Sequence, residues 1–310
     1  MSDIILSVEH LKKKYVIDKS FFGKEKKALN AINDVSFTIN RGESFALVGE
    51  SGCGKSTTAR TLLKLIDADG GKVVFDNKVL FDIENKNKLS NKEMLKLRKD
   101  MQIIFQDPFA SLDNKMRIGK IISEGIEKHN LAKGKEALEM AEHYLEICGV
   151  QKDAINKYPY EFSGGQRQRI VIARALAVKP KFIIADEPVA ALDVSIQAQI
   201  LNLLNDLKEK YGLTFLFISH DLGVVKYFCD KIAVMYAGRI VEMGLSSEIF
   251  ENPIHPYTKK LLESIPVIHP KLRKKRDNLN KIEKSEYEFI DDNSELKQIS
   301  DTHFVLNNYR

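Results

Sequence analysis

The chain has 310 residues, 44% of them hydrophobic, enough to bury a full core as one large domain or as one domain with additions. Its 48 basic and 43 acidic residues leave a formal net charge of +5, an ordinary solvated surface rather than a nucleic-acid footprint, so no nucleic-acid partner is expected. Three cysteines, Cys53, Cys148 and Cys229, are too few and too scattered for a disulfide framework or a four-ligand metal cluster, and they fit a reducing compartment.

Apolar β-rich runs alternate with helical patterns through most of the chain, which predicts an α/β domain with a mainly parallel central sheet. The polar, Gly-containing segment Ser20 to Lys27 interrupts N-terminal strands and reads as a hairpin tip or loop. Strands are expected at Phe45 to Val48, Gln102 to Phe105, Phe182 to Ala185, Thr214 to Ile218 and Lys231 to Met235. Between Asp107 and Val178 the pattern turns helical; Ala137, Ala141, Tyr144, Leu145 and Cys148 recur at helix spacing, predicting a helical subdomain inserted into the sheet. After Pro270 the composition changes to a basic run, Lys271 to Arg276, and then an acidic tail beyond Glu283. Such a tail is expected to add little core, so the boundary falls near Pro266 to Pro270, with partial disorder over 267–310. The longest apolar stretches, such as Leu213 to Ile218, are strand-sized and far short of the roughly 20 residues that cross a bilayer. Met1-Ser2-Asp3 starts with an acid rather than a basic run, so neither a signal peptide nor a transmembrane segment is expected.

The residues that carry chemistry follow the predicted strands. Gly49-Glu50-Ser51-Gly52-Cys53-Gly54-Lys55-Ser56 matches the phosphate-loop pattern G-x-x-x-x-G-K-[ST], after a strand and before the helical pattern Thr57 to Leu65. Its glycines let backbone N–H groups converge on phosphate oxygens, and the helix N-terminus adds positive potential there. Lys55 is expected to reach the β- and γ-phosphates, and the Ser56 hydroxyl to ligate Mg²⁺. Asp186 and Glu187 close the next apolar strand, where Asp186 is placed to hold Mg²⁺ and Glu187 to act as general base toward water. His220 ends the strand after that, and Gln106 follows Gln102 to Phe105, so both are expected at the same sheet edge. Ser163-Gly164-Gly165-Gln166 precedes the helix expected at Ile170 to Val178, with Ser163 as a candidate N-cap and a second anion site. Two anion sites so far apart in sequence point to a two-fold dimer, each phosphate loop facing the other subunit's Ser163 turn.

Taken together, these residues resemble the nucleotide-binding subunits of ATP-binding-cassette (ABC) transporters, over roughly Leu6 to Pro266. The resemblance implies a P-loop NTPase fold with an N-terminal antiparallel β subdomain and an inserted helical subdomain. It assigns ATP to Tyr15, which would stack on adenine, and to Gly49, Glu50, Ser51, Gly52, Cys53, Gly54, Lys55, Ser56 and Thr57. Gln106 becomes the Q-loop, Ser163, Gly164, Gly165 and Gln166 the signature acting in trans, and Asp193 the dimer-facing D-loop acid. Glu187, His220 and Gln106 become catalytic, and Mg²⁺ falls to Ser56, Gln106 and Asp186. Phe105 to Leu112 and Asn252 to Leu262 look like the oligopeptide and dipeptide importers, whose C-terminal segment is shared with nickel-importing relatives; the whole is most like the F-type ATPase of an oligopeptide permease. The implied partners are a second ATPase subunit, a different paralogue, two transmembrane permease subunits and, indirectly, an extracellular substrate-binding protein, with the chain peripheral on the cytoplasmic membrane face. The chain lacks cysteine after Cys229, so the iron-sulfur cluster of some relatives is not expected. A soluble ABC ATPase acting on nucleic acid or the ribosome is the alternative class; the stretch from Ser56 to Ser163 shows none of the sustained heptads of the DNA-repair types.

Overall fold

A computed structural model of the chain describes residues 3–19, 25–263 and 295–307. From the N-terminus come β1 (Ile4–Lys19), β2 (Glu25–Asn40), β3 (Ser44–Val48), α1 (Lys55–Leu62), β4 (Gly70–Phe75), β5 (Lys78–Asp82), β6 (Asn87–Lys88), α2 (Asn91–Arg98) and β7 (Met101–Ile104). The helical stretch follows as α3 (Ile118–Lys128), α4 (Gly134–Ile147) and α5 (Gly164–Leu176). Then come β8 (Phe182–Asp186), α6 (Val194–Tyr211), β9 (Thr214–Ser219), α7 (Leu222–Phe228), β10 (Lys231–Tyr236) and β11 (Arg239–Leu245). Helices α8 (Ser246–Glu251) and α9 (Pro256–Glu263) and the strands β12 (Leu296–Gln298) and β13 (Phe304–Leu306) complete the described chain.

Two sheets organise these elements. An antiparallel sheet in the order β2-β1-β4-β5-β6 forms the N-terminal layer, and a larger sheet runs β12-β13-β11-β10-β3-β9-β8-β7. In the larger sheet β10, β3, β9, β8 and β7 are mutually parallel. Parallel strands need both faces covered, and their residues here alternate between two cores. Phe182, Ile184, Leu216 and Ile218 pack toward the antiparallel layer with α1 and α2, whereas Ile183, Ala185, Phe215 and Phe217 pack toward α5, α6 and α7. The stripe Ala137, Ala141, Tyr144, Leu145 and Cys148 on α4 is buried in the second of these cores.

Two boundaries differ from the sequence reading. Helix α5 starts at Gly164, six residues before Ile170, because Ser163 and Gln166 form a reciprocal capping box; the Ser163 Oγ accepts from the Gln166 N–H at 3.4 Å and the Gln166 Oε1 from the Ser163 N–H at 3.0 Å. The end of the tail also departs from expectation. Residues 295–307 carry a hairpin that adds to the sheet through β13 on β11, burying Val305 and Leu306. Few apolar residues suffice there, because the free edge of β11 supplies the hydrogen-bond ladder and Glu242 a buried partner for His303. The rest of the tail expected to be partly disordered, residues 267–294 and 308–310, lies outside the described residues.

Candidate ATP site

Because β3, β7, β8 and β9 are parallel, the residues that follow them meet at one edge of the sheet. The loop after β3 is buried at its start and forced into shape by its neighbours. Gly49 sits at φ +151 with a would-be Cβ 2.1 Å from the Met235 carbonyl oxygen, and Gly54 at φ +111 with one 2.2 Å from that of Ala31. No side chain fits either position. Within the loop the Lys55 Nζ donates to the carbonyl oxygens of Gly49 at 2.7 Å and Glu50 at 2.8 Å. The Cys53 thiol lies inward, and burial pushes it above the usual thiol range.

The acids that end β8 have different surroundings. Asp186 is buried and accepts from the Ser56 hydroxyl at 2.9 Å. Burial, the largest influence, raises its carboxyl above the usual range; the Ser56 hydrogen bond, Arg60 and Lys55 pull it down, and Glu187 adds to the rise. Glu187 has a left-handed backbone at φ 50, a conformation that costs a non-glycine residue about 1–3 kcal/mol. Its N–H donates to the Ile218 carbonyl of β9 at 2.9 Å, which turns the side chain toward a different set of partners. The Glu187 Oε2 lies 3.0 Å from the Gln106 Nε2 and 3.1 Å from the His220 Nδ1. Gln106 and His220 thus converge on one carboxylate oxygen from β7 and β9.

Around these groups lies a cavity of about 800 Å³ lined by Gly49 to Gly52, Gly54 to Thr57, Gln106, Glu187 and His220. Tyr15 lines its far side, partly exposed, with Lys13 Nζ 5.5 Å from the ring centroid. Leu29, the register partner of Tyr15 across the β1–β2 ladder, and Ala31 lie beside it. Lys260 and Leu261 from α9 close another wall. Of the predicted residues, Cys53 supports the cavity from behind, Asp186 opens onto an adjoining pocket with Ser56, Arg60, Gln106 and Arg174, and Ser163 to Gln166 and Asp193 lie outside both. The sequence reading missed Leu29, Ala31, Lys260 and Leu261. The first two become visible once the strand register is known, whereas nothing local marks the others.

The donors fit Mg²⁺ but not a resident all-protein metal centre. Ser56 Oγ and Asp186 Oδ1 are hard oxygen ligands already within 2.9 Å, and a cation would offset the cost of burying that carboxylate. Among the described residues no group of three or more His, Cys, Asp or Glu side chains is placed to hold a metal, as expected where phosphate oxygens complete the shell.

The family model described as ABC transporter matches residues 32–190, and that for the oligopeptide/dipeptide transporter C-terminal region matches residues 241–291. The oligopeptide transport ATP-binding protein OppF of Bacillus subtilis is 46% identical over 308 residues, covering 99% of this chain and 97% of its own. The dipeptide transport ATP-binding protein DppF of Lactococcus lactis is 48% identical, with 92% of this chain and 90% of its own covered. Among solved structures, the ATP-binding cassette MJ0796, a dimer in a post-hydrolysis state bound to ADP and Pi, aligns with a TM-score of 0.67 at 27% identity over 78% of this chain and 98% of its own. CbiO1 of Clostridium perfringens, part of an ABC transporter complex, also gives 0.67, at 29% identity over 81% of this chain and 92% of its own. The phosphate loop, the paired acids and the sheet edge that gathers them thus stand in an ATPase, and the chain belongs to the ABC transporter family, in its oligopeptide/dipeptide branch.

Proposed function

We propose that this chain is the ATP-hydrolysing subunit of an importer for oligopeptides or dipeptides, working at a two-fold dimer in which two ATP molecules are sandwiched. The observation that carries the reading is the convergence of Gln106 and His220 on Glu187 beside the Lys55 loop, with the Ser163 turn exposed outside the cavity. The cavity binds ATP, with Tyr15 against adenine and the loop amides and Lys55 on the phosphates. Lys55 keeps the Gly49 carbonyl and exchanges that of Glu50 for the β- and γ-phosphates, which keeps the ammonium satisfied in both states. Ser56 and Asp186, with Gln106 beside them, would hold Mg²⁺, which would supply neutralisation of charge on the phosphate oxygens. Glu187 orients the attacking water and takes its proton, and His220 on the same carboxylate fixes where that water sits. The products are ADP and inorganic phosphate.

Ser163 to Gln166 and Asp193 belong to the partner's nucleotide in this reading, so neither chain completes a site alone. The partner is a second, paralogous ATPase, and the pair drives two transmembrane permease subunits from the cytoplasmic membrane face, fed indirectly by an extracellular binding protein. No helix among the described residues is long and apolar enough to cross a membrane, which suits a peripheral subunit. The test is Glu187→Gln in the transporter isolated with its membrane subunits and assayed with peptides. ATP binding is retained and kcat falls about 10²–10⁴-fold, the range of a general base; hydrolysis at the wild-type rate defeats the assignment.

A further inference from the structure

The phosphate loop is held from behind by a residue of the C-terminal segment, outside every motif that marks the site. The peptide unit between Gly49 and Glu50 is fixed on both sides. Its carbonyl, that of Gly49, takes Lys55 Nζ at 2.7 Å, and its N–H, that of Glu50, donates to the Tyr257 hydroxyl at 3.0 Å. Rotating this peptide would carry the Gly49 carbonyl away from the ammonium. Tyr257 therefore sets the plane of one of the two peptides whose carbonyls aim Lys55. From this geometry we infer that Tyr257 is a positioning residue for ATP, acting through the Gly49–Glu50 peptide on Lys55, and that the C-terminal segment is a working part of the nucleotide site.

The tyrosine is itself rigidly placed. It is 1% exposed, and its ring packs on Tyr236 with centroids 4.6 Å apart; Tyr236 follows Met235, whose carbonyl crowds Gly49. Burial raises its hydroxyl above the usual phenol range, so it stays neutral and available to the amide. Its own N–H donates to His255 Nδ1 at 3.1 Å, and burial pulls His255 down to about 4, leaving that nitrogen an acceptor at neutral pH. The N–H groups of Ile254 and His255 are held in turn by the Glu242 carboxylate at 2.8 and 3.0 Å, and the same carboxylate meets His303 Nε2 at 2.8 Å. A continuous buried relay thus runs from the terminal hairpin to the phosphate loop. One turn beyond Tyr257 on α9, Lys260 and Leu261 line the cavity directly.

The inference rests on ATP binding at the phosphate loop, and the experiment separates the two. Tyr257→Phe keeps the ring and its packing and removes only the oxygen. Fluorescent ATP titration on the full chain and steady-state hydrolysis in the transporter isolated with its membrane subunits are compared with hydrogen exchange of the peptide containing Glu50. The variant is expected to bind ATP about 3- to 10-fold more weakly, the worth of one hydrogen bond, with KM rising in step and kcat changing less than about twofold. Exchange at Glu50 is expected to quicken about tenfold without nucleotide, since its local protection is removed. Unchanged affinity, unchanged exchange at Glu50, or a loss confined to kcat and melting temperature each overturns the positioning role. A wild-type chain that fails to bind ATP defeats the proposed function instead.

Discussion

Asp186 and Glu187 are neighbours in sequence, yet the chain treats them as separate instruments. Asp186 is desolvated against Ser56, while Glu187, turned by its left-handed backbone, is held by Gln106 and His220. A carboxyl that holds its proton more tightly folded than unfolded makes folding less favourable as pH rises through the ordinary carboxylate range to the folded value. For Asp186, whose carboxyl burial raises, that penalty grows as pH rises through the ordinary carboxylate range and is absent in acid. Asp186→Asn keeps an acceptor for the Ser56 hydroxyl and removes the charge. Without nucleotide it should melt at or above the wild-type temperature at pH 7, with the difference closing as pH falls below the ordinary carboxylate range, while Mg²⁺-dependent turnover drops about a hundredfold. A clearly lower melting temperature at pH 7 contradicts this account. Both acids were legible in the sequence because strand, acid pair and phosphate loop are each contiguous runs with a mechanical reason for their spacing. Tyr257 was not, since its contact with Glu50 spans 207 positions and no local pattern encodes it.

The parallel strands were legible because burial on both faces demands unbroken apolar runs, and β3, β8, β9 and β10 are such runs. The expected N-cap of α5, Ser163, is the one used, but the helix begins directly after it and not at Ile170, because the Ser163–Gln166 capping box stabilises the first turn enough to carry two glycines. The terminal hairpin was illegible for a different reason. It is held by pairing with an edge strand and by a buried hydrogen bond between His303 and Glu242, neither of which local composition reports. Glu242 is fully buried and His303 nearly so. Removing one partner of such a pair leaves a buried carboxylate short of a ligand, although two backbone N–H groups remain on Glu242. His303→Ala should therefore destabilise the chain by about 1–3 kcal/mol in denaturant unfolding, the range for a buried polar group left short of a hydrogen bond. Combining it with Glu242→Gln should cost less than the sum of the two single changes, because the second removes the stranded charge. Additive costs would show that the pair does not hold the hairpin.

On the scale of the whole molecule, the turn proposed as the second anion site lies against the neighbouring loop at Leu192. A Cβ at Gly165 would approach Ile196 Cγ2 to 2.6 Å, and one at Gly164 would meet Leu192 at 3.6 Å. The start of α5 is therefore packed on Leu192 and on Ile196 in the first turn of α6, to either side of Asp193 in sequence. Around them Phe109, Tyr160 and Val194 are exposed, Val194 at 81%, an apolar border that a docking partner would cover. In the proposed sandwich this surface closes over the phosphates of the opposite chain. Glu187→Gln, expected to hold ATP unhydrolysed, should then form a dimer in light scattering when ATP and Mg²⁺ are added, alone or with the proposed paralogous partner. Adding Ser163→Arg places a bulky side chain at the first residue of the turn, outside the chain's own cavity. The double variant should return to monomer mass while fluorescent ATP still binds within about threefold of its former affinity, a change under 1 kcal/mol. A dimer that survives Ser163→Arg would mean that the two chains meet through some other face, and that the phosphates are completed without the turn.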